Sequence, residues 1–107
     1  MYKRGSKIKE IIKEYIKTLK SLGIGVKQVI LYGSFARGNQ KKYSDIDLIV
    51  VSNDFQKMNL RERLEILGIA AVRIMKPIEA KGYTTQEIKT TSRDSFLREA
   101  LELGINM

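Results

Sequence analysis

The chain has no cysteine and no histidine. Disulfide staples, thiolate or imidazole zinc sites, and every Ser-His or Cys-His nucleophile pair are therefore excluded. Any metal must be held by oxygen ligands, which favours hard ions such as Mg²⁺ or Mn²⁺. Proline occurs once, at Pro77, and no repeat or low-complexity stretch marks a linker. No apolar run approaches the roughly 20 residues that cross a bilayer. The opening MYKRGSKIKE lacks the apolar segment of a secretory signal. The expectation is a single cytoplasmic domain spanning residues 1–107, with no membrane partner.

What is present begins with charge. The net charge is +8, and it is unevenly placed: residues 1–42 hold eleven Lys/Arg against two Glu, whereas residues 43–107 hold nine against ten acids. A basic first half suits an anionic partner, such as nucleotide phosphates, nucleic acid or an acidic protein face. It equally suits a solvated helix face that keeps a small protein dispersed. An apolar content of 43% supports a folded chain in either case.

Periodicity supplies the elements. Ile8, Ile11, Ile12, Tyr15, Ile16, Leu19 and Leu22 form one stripe of an amphipathic helix that Gly23 and Gly25 end. VKQVILYG, from Val26 to Gly33, reads as a strand, and IDLIVVS, from Ile46 to Ser52, as a central one covered on both faces. A loop that holds one helical turn at residues 34–37 joins them. Asn59 is placed to cap a helix whose Leu60, Leu64, Leu67, Ala71 and Ile74 share a face. After Pro77, IEAKGY reads as a third strand. TTQE then opens a short helical segment as a capping box, and SFLREALELG closes the chain as a helix. The order α-β-β-α-β-α predicts an α+β domain with a small mixed β-sheet packed with helices.

The stretch GSFARGNQKKYSDIDLIV carries the chemistry. Gly33 follows a strand, and free N–H groups at a turn there can point at an anion, with the Ser34 hydroxyl as a further donor. Gly33 and Gly38 have the glycine spacing of a Walker A loop, but Asn39 and Gln40 stand where Lys and Ser or Thr are needed, so a P-loop is rejected. Asp45 and Asp47 project from one face of a strand with Cα atoms about 6.7 Å apart. Paired carboxylates of this kind can share the metal ions of a phosphoryl or nucleotidyl transfer. An isolated Asp-x-Asp is more often two solvated acids.

Gly-Ser, ten residues, then Asp-x-Asp resembles the signature of the DNA polymerase β-like nucleotidyltransferase superfamily, in particular its minimal (MNT, MntA-like) members. The resemblance rests on GSFARG and SDIDL and extends over most of the chain. It implies a polymerase β palm-like fold, a nucleoside triphosphate held at Gly33 and Ser34, and two Mg²⁺ ions at Asp45 and Asp47. It also implies a third carboxylate from a later strand. Glu79 is the candidate, since alternation within IEAK turns it with Lys81 away from Ile78 and Ala80. Glu87 is the other choice, although its capping role already accounts for it. Arg37 is a candidate phosphate ligand, since guanidinium binds phosphate in a fork. Tyr32 and Tyr43 flank the motif as candidates to stack on a base, and Lys41 and Lys42 as steering charges.

The resemblance further implies transfer of AMP from ATP to a hydroxyl, and a HEPN-domain partner whose tyrosine is modified by an antitoxin. A contrasting expectation is a catalytically weak module that neutralises its partner by contact. Nucleic-acid binding through the basic N-terminal helix has charge alone behind it. The apolar tail LELGINM is a candidate dimer surface.

Overall fold

The computed structural model describes residues 3–33, 36, 45–90 and 96–107. Helix α1 (Lys3–Ser21) leads into strand β1 (Gln28–Tyr32), and β2 (Ile46–Val51) follows. A 3-10 turn (Asn53–Lys57) precedes α2 (Leu60–Arg73), β3 (Ile78–Tyr83) and the short α3 (Thr85–Lys89). Helix α4 (Phe96–Leu103) and a two-residue strand β4 (Ile105–Asn106) complete the order. The sheet runs β3-β2-β1-β4, with β1 antiparallel to both neighbours and β2 parallel to β3. Among the described residues, no helix is long and apolar enough to cross a membrane.

Alternation along the strands divides the core in two. Val29, Leu31, Ile46, Leu48, Val50 and Ala80 face α1 and α2, where Ile12, Tyr15, Leu19, Leu67 and Ala70 complete the larger cluster. Ile30, Ile49 and Val51 face the other way, against Leu97 and Ala100 of α4. β2 is thus covered on both faces, as its apolar run predicts. The buried Tyr15 hydroxyl donates to the Leu67 carbonyl at 2.8 Å, tying α1 to α2.

The predicted N-cap at Asn59 and the predicted capping box at Thr84 both form, and Asn59 proves to be part of a box as well. The Asn59 side chain accepts from the Glu62 N–H, and Glu62 accepts from the Asn59 N–H. Thr84 and Glu87 repeat the exchange at α3.

The buried face of α2 departs from the expectation. Leu60 and Leu64 are exposed, at 66% and 47%, and Arg63 is buried instead. Its guanidinium turns inward because partners await it there. Nη1 and Nη2 meet both oxygens of Glu87 at 2.7 and 3.1 Å, while the Met58 and Gly82 carbonyls accept from Nε and Nη1. The group also lies 5.7 Å from the centre of the buried Phe55 ring. A fork with two carboxylate oxygens and two carbonyls offsets the desolvation that a leucine avoids.

The tail also has a use that periodicity does not predict. Ile105 and Asn106 pair with Leu31 and Ile30, and the Met107 N–H donates to the Val29 carbonyl, so the tail's backbone extends the chain's own sheet.

Candidate active site

Strand β2 fixes the first acid. Ile46, Leu48 and Val50 are committed to the α1–α2 core, so Asp47 emerges on the opposite face at the start of the strand. Its position is half-buried, while Asp45, just before the strand, is exposed.

The parallel pairing with β3 supplies the second acid. Asp47 lies opposite Glu79, and Ile49 opposite Lys81. Side chains in register on neighbouring strands, about 4.8 Å apart, share a face. The Glu79 carboxyl bears on Asp47 from the neighbouring strand. Burial first, then the charges of Glu79 and Asp45, hold the Asp47 carboxyl above the ordinary aspartate range, with Lys81 acting against them.

Strand β1 supplies the turn. Tyr32 pairs with Asp47, and Gly33 follows with φ of +76°, in the left-handed region that side chains disfavour. A Cβ at Gly33 would also run into the Asp47 carboxylate. Glycine is therefore required twice over, by backbone conformation and by the close approach of the acid. The Tyr32 hydroxyl is pushed up to about 12 by burial and by the neighbouring Asp47 and Glu79 charges, so it stays protonated and can donate toward them.

The structure thus brings Gly33, Asp47 and Glu79 together, with Asp45 close enough to act on Asp47 electrostatically. Ser34 and Arg37 lie outside the described residues, as do Lys41, Lys42 and Tyr43. Of the turn predicted at residues 34–37, Ala36 is described and is helical. Glu87, the alternative third acid, sits beyond the far end of β3, where its carboxylate is engaged by Arg63. The Arg63 hydrogen bond holds it below the usual glutamate range.

The donor set is suited to a hard divalent cation in chemistry: oxygen only, with a crowded charge on Asp47 that a cation would relieve. Its spacing is less advanced. Among the described residues, no three acids are gathered closely enough to enclose a metal ion.

Three further residues stand beside the acids with no motif in the sequence to mark them. Lys81 falls on the acid face by alternation, and its ammonium lies 4.7 Å from the centre of the Phe96 ring. Phe96, at the start of α4, meets Tyr32 edge-on with centroids 5.4 Å apart. Glu99 lines the cavity that these aromatics border. Nothing local in the sequence signals that α4 returns to this end of the sheet. A larger cavity, of about 590 Å³, opens at the other end of the strands beside Val51 and Met107. Among the described residues its lining holds no acid, so the carboxylate cluster rather than cavity size marks the candidate site.

Residues 9–102 match the family described as Nucleotidyltransferase domain. Several curated relatives from Methanocaldococcus jannaschii bear the name "putative protein adenylyltransferase". One is 36% identical over 105 residues, covering 92% of this chain and 96% of the relative. Another is 40% identical over 62 residues, covering 58% of this chain. The matched region spans 61%, 51% and 43% of the length of three such relatives.

Two crystal structures are similar in fold. A putative nucleotidyltransferase from Sulfolobus solfataricus has a TM-score of 0.59 at 23% identity, with 78% of this chain and 72% of that chain covered. A toxin-antitoxin complex with AMP-PNP has a TM-score of 0.53 at 22% identity, with 75% and 59% covered. With the family match running over most of its length, the chain belongs to the nucleotidyltransferase domain family.

Proposed function

We propose that the chain is a Mg²⁺-dependent nucleotidyltransferase that moves AMP from ATP to a hydroxyl, and that the acceptor is a tyrosine of a HEPN-type toxin partner. The observation that carries this reading is the convergence of Gly33 on Asp47, itself in register with Glu79. A positive-φ turn with no room for a side chain abuts a carboxylate of raised pKa, and that juxtaposition unites phosphate-binding backbone with metal-binding acid. The names of the relatives support adenylyl transfer, and the toxin-antitoxin neighbour supports an antitoxin setting.

In this reading Gly33, with Ser34 and Arg37, holds the β- and γ-phosphates. Asp45, Asp47 and Glu79 would hold two Mg²⁺ ions, which supply Lewis-acid stabilisation of charge on the entering and departing oxygens. The acceptor oxygen attacks the α-phosphorus in line. A P–O bond forms to that oxygen, the bond to the bridging oxygen breaks, and pyrophosphate leaves. Glu79 takes the hydroxyl proton. Lys81 partly offsets the charge crowding that holds the Asp47 carboxyl above the ordinary aspartate range.

A second reading, in which the nucleotide site is regulatory and the protein neutralises its partner by contact, is favoured by the absence of a three-acid metal cluster among the described residues. Incubation with α-labelled ATP, Mg²⁺ and the product of the neighbouring gene separates the two. Label on the partner that vanishes in Asp45→Asn and Glu79→Gln supports transfer. Neutralisation without label, unchanged in those variants, would establish the contact module.

A further inference from the structure

Helix α2 is apolar on more sides than its own sheet covers. Arg63, Leu67, Ala70 and Ala71 turn inward, yet Leu60, Leu64, Ile69 and Val72 of the same helix stay exposed. Among the described residues, α1 leaves no large apolar side chain so open, whereas Val72 is 74% exposed. A helix that is apolar all round is one that a second surface covers. Leu60, Leu64, Gly68 and Val72 recur every four residues and so form one ridge along the outer side. Gly68, in the middle of that ridge, is exposed, and a Cβ there would meet nothing from the rest of the fold within 4 Å. Its φ is not positive either. Neither conformation nor internal packing therefore requires glycine, and in mid-helix it weakens α2 relative to alanine. Close approach of another backbone from outside is the use that remains.

We propose that this ridge is a self-association surface, on which a second copy of the chain packs its own α2 antiparallel, with the two-fold axis at Gly68. The inference is independent of the nucleotidyl-transfer reading, because α2 covers the face of the sheet opposite to that of Asp47 and Glu79. Shape and charge both select a copy of the chain. The ridge is self-complementary about Gly68. A two-fold axis there sets glycine opposite glycine and Leu64 of each copy opposite Val72 of the other, so the bulky positions interleave on either side of the closest approach.

Charge favours the same arrangement. The exposed charges in the first half of α2 are Arg61, Glu62 and Glu65, one base against two acids, whereas Arg73 ends the helix and Lys76 follows it. Antiparallel packing places the acidic half of one helix beside the basic end of the other and opposes the two helix dipoles, whereas parallel packing sets like against like. Arg61, Glu62, Glu65 and Arg73 cancel, although the chain as a whole carries +8. Two basic molecules thus meet where their charge is balanced. The size of the ridge sets the strength of pairing. One helix face falls short of the roughly 1,600 Å² of a standard interface, so the dimer is a weak one.

The test combines sedimentation with crosslinking of the full chain. Wild-type protein from about 1 to 500 µM should show a monomer–dimer equilibrium with a Kd on the order of 10–100 µM. Val72→Glu should weaken it by about tenfold or more, since pairing would then bury a charge. Gly68→Gln places a good helix former where the fold leaves room, so its melting temperature at low concentration should not fall, while its dimer weakens by a similar factor. The chain has no cysteine, so single cysteines report the geometry. Gly68→Cys should crosslink to its own copy under mild oxidation, because facing glycines bring Cα atoms toward the roughly 4.4–6.8 Å that a disulfide spans. Ile69→Cys, also half exposed but turned roughly 100° around the helix, should crosslink about tenfold more slowly.

Wild-type protein that stays monomeric over the whole range overturns the proposal and leaves the ridge to a different protein. A dimer that both Val72→Glu and Gly68→Gln leave intact overturns it as well. Equal crosslinking of Gly68→Cys and Ile69→Cys would remove the axis from Gly68 and the antiparallel pairing with it.

Discussion

Asp47 is placed at odds with its own stability. Its folded-state pKa is raised by burial and by Glu79 and Asp45, so the folded protein holds this proton more tightly than the unfolded chain. The stability it contributes is therefore present below the ordinary aspartate pKa and is lost as pH rises through the raised folded value. In chelator, thermal stability should fall across that window in wild-type protein, and the fall should be smaller in Asp47→Asn. Melting curves between pH 4 and 8 measure it. Gly33 carries a second constraint of the same kind. Gly33→Ala should cost about 1–2 kcal/mol for the left-handed conformation alone, and more for the collision with Asp47. Chemical denaturation reads the loss, and label transfer should disappear with it, since the carboxylate must move.

At the scale of elements, the β3–α3 junction is held by one cluster. Arg63 links α2 to Glu87, and Glu87 caps α3 through Thr84. Arg63→Ala should cost about 2 kcal/mol, since charged hydrogen bonds to Glu87 and two carbonyls are lost in a buried setting. Thr84→Ala should cost about 1 kcal/mol, the worth of an N-cap. Urea titration of both variants checks the order; equal or negligible losses would show that the cluster is not what holds the junction.

This cluster also marks where the sequence stops being readable. The two capping boxes and the α1 stripe are local patterns, set by residues three or four apart, and they are visible in the bare chain. Arg63 is not, because its partner Glu87 lies 24 residues away and nothing near Arg63 says that it turns inward. β4 is too short for any alternation to register. The Asp47–Glu79 pairing was half legible: alternation gives the face of each side chain, but register alone sets them opposite each other. The Tyr32–Phe96–Lys81 contact depends on where α4 packs, and no motif encodes that.

Across the whole molecule, the two faces of the sheet divide the labour. α1 packs on the face of Leu48 and Val50, with Lys9, Lys13 and Lys17 exposed, whereas Asp47 and Glu79 open onto the face of α4. The basic first half thus contributes to the net charge without placing those lysines at the acids. Salt screens fields beyond about 8 Å at physiological ionic strength. A triple variant Lys9→Glu, Lys13→Glu, Lys17→Glu should keep Mg-ATP affinity within twofold by calorimetry. A tenfold loss would mean that α1 takes part in nucleotide binding.

On the proposed transfer reading, Asp47 occupies a destabilising place that a cation-bound nucleotide relieves. The most direct measurement is the melting temperature of wild-type protein and Asp47→Asn, each in chelator and in saturating Mg²⁺ with a non-hydrolysable ATP analogue. A crossover is expected. The variant melts higher in chelator, whereas wild-type protein gains about 10 °C from ligand at 100 times its Kd and the variant gains little. Equal gains in both proteins, or a variant that melts lower in chelator, would contradict it.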